Sequence, residues 1–186
     1  MSELEIVAVV LGVANILLII RRSIWNYPVG IAMVILYAFV FWEVKLYSDA
    51  LLQGFFLAAQ LYGWAAWRHA AADAGEVRVE TLDARGRILW IGGAIVAALI
   101  WGWGMHRFTD AALPYWDALV AMPSVAAQLL LARRKLENWV LWIAVDIIAI
   151  GLYWTKGLTL TAGLYAGFLV LATAGLLQWW RVWRRA

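Results

Sequence analysis

The residues ENWVLWIAVDIIAIGLYW, at positions 137–154, decide how this chain is read. Beyond Glu137 they hold one formal charge, Asp146, in a run of the length a helix needs to cross a bilayer core, about 20 residues for roughly 30 Å. Six further apolar runs occupy 5–20, 23–43, 47–67, 87–106, 112–132 and 158–180. The chain as a whole has 186 residues, 66% hydrophobic and 15% charged, with a mean hydropathy of +0.79. A soluble domain is closer to half apolar and a quarter charged. The expectation is an all-α membrane protein with seven transmembrane helices.

Composition also removes chemistry. There is no cysteine, so disulfides, thiolate metal sites and cysteine nucleophiles are excluded. The two histidines, His69 and His106, sit at segment edges and form no cluster for a metal. No metal or other cofactor is expected, and nothing points to nucleic acid. The first segment follows the acidic start MSELE, unlike the basic start of a signal peptide, and is read as a retained helix.

The basic residues set the orientation. Arg21 and Arg22, then Arg68, Arg78, Arg85 and Arg87, then Arg133, Arg134 and Lys135, then Arg181, Arg184 and Arg185 all fall on one side. Only Lys45, Arg107 and Lys156 fall on the other. The positive-inside rule then puts the N-terminus outside and the C-terminus in the cytoplasm, for a multi-pass membrane protein.

A repeat runs through the chain. Residues 5–68 laid without gaps over 117–180 give 18 identities in 64 pairs, among them Arg22/Arg134, Asn26/Asn138, Gly63/Gly175 and Trp67/Trp179. Three hydrophobic segments overlie three others. Two copies with the same orientation need one extra crossing, and the fourth segment supplies it. The expected organisation is a first three-helix repeat at 5–68 and a cytoplasmic linker at 69–86. An inverter helix at 87–107, a second repeat at 112–180 and a tail at 181–186 follow. Such a 3+1+3 arrangement of parallel repeats is a transporter architecture, with the solute near the midplane at the repeat interface.

The opening stretch then acquires a chemical reading. At 100° per residue Trp139, Trp142, Asp146 and Tyr153 fall within about 60° of arc. Asp146 lies about 15 Å deep, where a central carboxylate costs about 2.5–3.5 kcal/mol and must face the bundle interior. A protonated or water-bonded Asp fixing helix contacts is the bland account; a group awaiting a ligand is the favoured one. Trp25, Trp42, Trp67, Trp90, Trp154, Trp179, Trp180 and Trp183 lie near segment ends, as an interfacial belt would. Trp142 is deeper, and indole faces attract flat rings and cations.

Matching polar stripes occur elsewhere: Asp49, Gln53, Phe56 and Gln60 on the third segment, and Asp117, Ser124 and Gln128 on the fifth. Asn15, Asn26 and Tyr37 add to them, with interhelical hydrogen bonding the alternative for each. No Lys or Arg lies at depth, so a phosphorylated solute is disfavoured. The deep polar groups are not duplicated: Asp146 overlies Val34, Gln60 overlies Ala172, and Gln53 overlies Tyr165. Pro28 with Gly30, and Pro123, are expected to interrupt their helices as hinges.

These residues resemble the PnuC family of bacterial vitamin transporters. The resemblance rests on IWNYPVGI at 24–31, LYSDALLQGF at 46–55, QLYGWAAW at 60–67 and ENWVLWIAVDIIAIGLYWTKGL at 137–158. The last holds the family's Trp-x-x-Trp-x-x-x-Asn/Asp pattern at Trp139, Trp142 and Asp146. The resemblance implies the SWEET-like 3+1+3 fold, a homotrimer, and facilitated diffusion of nicotinamide riboside trapped by a cytoplasmic kinase. It implies binding by Trp139, Trp142 and Asp146 with Gln53 and Gln60, while Asn26 matches a family position near the cytoplasmic end. Tyr153 and Gln128 complete the candidate set. Thiamine or riboflavin as the solute, a sugar carrier of the same layout, and proton symport through Asp146 remain alternatives. An enzyme is disfavoured, because Asp146 has no visible catalytic partner.

Overall fold

The computed structural model describes residues 3–43, 47–74, 76–110, 113–155, 157 and 159–185, with side chains at all of these except 3–5, 8, 40, 41, 43, 47–51, 74 and 160. Among them are seven helices: α1 (Glu3–Ile20), α2 (Asn26–Glu43), α3 (Tyr47–Ala74), α4 (Ala84–Phe108), α5 (Pro114–Ala132), α6 (Glu137–Thr155) and α7 (Thr159–Trp183). Four stretches are long and apolar enough to cross a membrane: Ala84–Phe108, Pro114–Ala132, Glu137–Thr155 and Thr161–Trp183. Val9–Ile20 and Asn26–Phe39 are shorter apolar stretches of α1 and α2. α3 outruns its apolar segment and ends at Ala74, because the sequence after Arg68 is rich in alanine, the strongest helix former. The expected polar linker is correspondingly shorter.

The chain forms two compact units. One comprises Met1–Arg78 with Ala132–Arg134, the other Val79–Leu131 with Lys135–Ala186.

In the first unit α2 packs on both α1 and α3. Pro28 falls in the first turn of α2, where no N–H is needed, so it starts the helix and does not break it. Gly30 is a contact position. A Cβ there would collide with the Gln60 side-chain amide and come within 2.9 Å of Asn15 Nδ2. That Asn15 amide donates to the carbonyl of Asn26, joining α1 to the start of α2.

In the second unit α6 packs closely on α7. The core centres on Ala94, Ala126, Ala127, Leu130 and Leu141, with Leu82, Trp90 and Trp142 packed against them. α4 buries only Ala94, Ala98 and Gly102, a four-residue spacing of small side chains that lets backbones approach. At Gly102 the backbone of Tyr115 would lie 3.0 Å from an added Cβ. α5 runs unbroken through Pro123.

The segment before α4 is tied down by charge. Asp83 caps α4 by accepting from Gly86 N–H at 2.8 Å. The buried Glu137 carboxylate accepts from Leu82 N–H at 3.1 Å and from Arg87 Nε at 2.8 Å. Lys135 Nζ reaches Glu80 at 2.7 Å, and Leu136 N–H donates to the Glu80 carbonyl at 2.8 Å.

Candidate functional site

Equivalent residues of the two sequence repeats build the same joint. Arg22 and Arg134 each take a left-handed turn, with φ of 57° and 58°, ahead of the next helix. Four residues on, Asn26 and Asn138 donate Nδ2 to the carbonyls of Ser23 and Lys135, both at 2.7 Å. The next residue then meets the far end of the following helix. Tyr27 stands edge-on to Trp67 at 5.3 Å and 86°, and Trp139 stands edge-on to Trp179 at 5.6 Å and 87°. Beneath these rings lie Gly63 and Gly175, where an added Cβ would come within 2.6 Å of Tyr27 and 2.5 Å of Trp139. Only glycine leaves room for the ring.

Trp67 and Trp179 are therefore fully buried partners in a clasp, not members of an interfacial belt. Trp25, Trp42, Trp154, Trp180 and Trp183 are exposed, as a belt requires.

The second unit adds a second clasp. Fourteen residues along α6 from Trp139, Tyr153 stacks on Tyr165 of α7 at 5.2 Å and 27°. Tyr165 is likewise fourteen residues from Trp179, so the two contacts fix one antiparallel register. Midway between them fall Asp146 on α6 and Ala172 on α7, each only 4% exposed. A seven-residue step returns to within about 20° of the same face, so both clasps and Asp146 share one stripe of α6. The carboxylate is level with a small residue and bracketed by aromatic pairs roughly 21 Å apart along the axis.

The other sequence-derived candidates are distributed as follows. Trp142, half-buried, lies on the apolar core of the second unit. Trp139 is 2% exposed, and its indole N–H has no partner among the described residues. Gln128 is buried on α5 with Nε2 unpartnered. Its neighbour Ser124 is satisfied by its own helix, donating to the Val120 carbonyl at 2.7 Å. In the first unit Gln60 is buried with Oε1 unpartnered, and Asn26 is buried with Oδ1 unpartnered. Gln53, half-buried, lines a groove of about 440 Å³ with Val34, Ala38, Trp42, Gly54 and Leu57. The Asp49 side chain, Lys45 and Lys156 lie outside the described residues.

Tyr165 was not singled out from the sequence, where it appears only as the residue overlying Gln53. Gly175 and Trp179 were visible as identities of the repeat, without their roles. Among the described residues no three His, Cys, Asp or Glu side chains gather as a metal site would require. A buried acceptor, free amides, indoles and phenols can hold a polar aromatic solute. They make no nucleophile–base pair.

Apolar helices that bury such groups are what a membrane transporter presents. The chain belongs to the nicotinamide mononucleotide transporter family, whose sequence profile matches residues 2–181. It is 31% identical to the nicotinamide riboside transporter PnuC of Neisseria mucosa, over 99% of this chain and 74% of that protein. It is 26% identical to the Escherichia coli nicotinamide riboside transporter PnuC, over 96% of this chain and 85% of that one. The riboflavin/roseoflavin transporter RibM of Streptomyces davaonensis is 27% identical, over 97% and 86%. The crystal structure of the vitamin B3 transporter PnuC superimposes with a TM-score of 0.80 at 29% identity, covering 99% of this chain and 83% of that one.

Proposed function

We propose that this protein imports nicotinamide riboside across the inner membrane as a uniporter. Asp146 faces the cationic ring, Trp142 supplies an indole face for it, and Trp139, packed between Gly175 and Trp179, offers its indole N–H. Tyr153 and Gln128 line the same unit's part of the path, and Gln53, Gln60 and Asn26 are the candidate contacts of the first unit. The observation that carries the reading is Asp146, a buried carboxylate level with a small residue on α7 and bracketed by aromatic pairs.

The riboside is favoured over its mononucleotide because a phosphate calls for Arg or Lys within reach. Every Lys and Arg of this sequence lies at or beyond the end of one of its seven apolar segments. The same exclusion supports trapping: once a cytoplasmic kinase phosphorylates the riboside, the product is a poor solute for the return path. The 3+1+3 arrangement of parallel repeats, with the N-terminus outside, is supported by the duplicated joint and by the twelve-to-three distribution of basic residues.

Riboflavin is the second reading, favoured by the likeness to RibM. Tryptophan fluorescence of the purified protein, which has 14 indoles, decides between them when titrated with nicotinamide riboside, riboflavin and thiamine. Saturable quenching by nicotinamide riboside at the lowest concentration is expected. Tighter binding of riboflavin or thiamine would sink the assignment. Uptake into proteoliposomes that is unaffected by a proton gradient is expected of a uniporter.

A further inference from the structure

The two aromatic clasps on α6 and α7 differ in kind. Trp139 and Trp179 are 2% and 0% exposed and meet edge to face, and Trp139 rests on Gly175, where an added Cβ would fall 2.5 Å from its ring. That end is pinned. Tyr153 and Tyr165 are half-buried and meet nearly face to face, at 27°, with Phe168 set edge-on behind Tyr165 at 5.8 Å and 77°. A face-to-face contact between flat rings can be traded for another of the same kind. In the first repeat Gln53 stands at the position equivalent to Tyr165, so that ring is replaced by an amide, which lines a groove.

We propose that Tyr165 is the gating and ring-selecting residue of this transporter, closing the way to Asp146 at the end where α6 turns into α7. An arriving flat ring takes the place of Tyr165 on the face of Tyr153, and Tyr165 swings aside. The stack lost is replaced by a stack gained, so an aromatic solute opens the gate at little net cost. A non-aromatic solute of the same size does not. The proposal rests on the transport function argued above, and specifies where along α6 the solute is first selected.

The chain's lack of cysteine makes a direct test possible. Asp146→Cys places one thiol midway along α6, and an impermeant charged thiol reagent then reports access from each side, in right-side-out cells and in inside-out vesicles. Three second substitutions are compared: Tyr165→Phe, Tyr165→Leu and Tyr165→Ala. Tyr165→Phe keeps the stack and labels like the parent. Tyr165→Ala and Tyr165→Leu label about tenfold faster from the face where α6 turns into α7, and at the parental rate from the other. Equal rates in all three, or acceleration from both faces alike, would overturn the gate.

With Asp146 intact, Tyr165→Ala raises the association and dissociation rates of nicotinamide riboside together, leaving Kd within about threefold. A tenfold weaker Kd at an unchanged association rate would make Tyr165 an ordinary ligand contact, and the gate would fall. Absence of binding by the unmodified protein would instead remove the proposed substrate, while the labelling rates would still decide the gate.

Discussion

Asn26 and Asn138, equivalent residues of two repeats, each turn a side-chain amide back to the carbonyl three residues earlier, at 2.7 Å in both. The bond fixes the entry into α2 and into α6, and the ring on the next residue is thereby aimed at a glycine of the following helix. A local hydrogen bond so becomes a tertiary contact.

The glycine is the point at which this joint breaks. Gly175→Ala would place a methyl group 2.5 Å from Trp139, whose ring is held on its other side by Trp179. Overpacking of this kind costs about 1–3 kcal/mol. Gly167→Ala, on the same helix with nothing within 4 Å of its Cβ, is expected to be neutral or stabilising by up to about 1 kcal/mol. Thermal unfolding in detergent should rank Gly175→Ala well below the parent and Gly167→Ala level with it or above.

The left-handed arginines separate backbone strain from side-chain bonding. Arg22 donates to the Val77 carbonyl at 2.8 Å and pairs with Glu76 at 3.3 Å, and Arg134 donates to the Ala66 carbonyl at 3.4 Å. Glycine relieves about 1 kcal/mol of strain at either position. Arg22→Gly also loses both of its bonds and is expected to lower stability by about 1 kcal/mol. The denaturation midpoint of the variant, set against the parent, checks this.

Glu137 ties the start of α6 to the start of α4. Glu137→Gln keeps an acceptor for Leu82 N–H but loses the charge facing Arg87. Glu137→Ala leaves a buried donor unpaired as well. Losses of about 1 kcal/mol and about 2–3 kcal/mol are expected, read as thermal shifts. An equal loss in both variants would mean that the ion pair alone holds this contact.

Charge and hydrogen bonding at Asp146 are separable by ligand. Asp146→Asn should weaken a cationic solute, nicotinamide riboside, by about tenfold or more, and a neutral one, riboflavin, by less than threefold. Fluorescence titration of both ligands measures this. Equal effects on the two would remove the counter-charge role.

The seven helices were legible because apolar runs and their basic borders are one-dimensional signals. The end of α3 was not, since alanine continues a helix beyond the apolar segment that announces it. Pro28 and Pro123 misled for one reason: a proline is a breaker only where an N–H is needed, and sequence alone does not say where the first turn falls or what surrounds α5. At the site, Asp146 and the Trp139–Trp142–Tyr153 stripe follow from periodicity. Their partners Tyr165, Ala172 and Trp179 follow from the register of α6 on α7, which no spacing within a single helix contains. The repeat held part of that information, in Trp67/Trp179 and Gly63/Gly175, as identities without an interpretation.

The paired glycine floors have a consequence for how the two halves diverged. A ring resting on a bare backbone tolerates exchange of tyrosine for tryptophan, but neither the loss of the ring nor a larger residue below it. After duplication, drift was free to rewrite the interior, where aspartate now overlies valine and tyrosine overlies glutamine, while the pivots were inherited nearly unaltered. Ancestral reconstruction of the undivided three-helix unit should recover the ring and the glycine with little ambiguity, and leave the position of Asp146 undetermined.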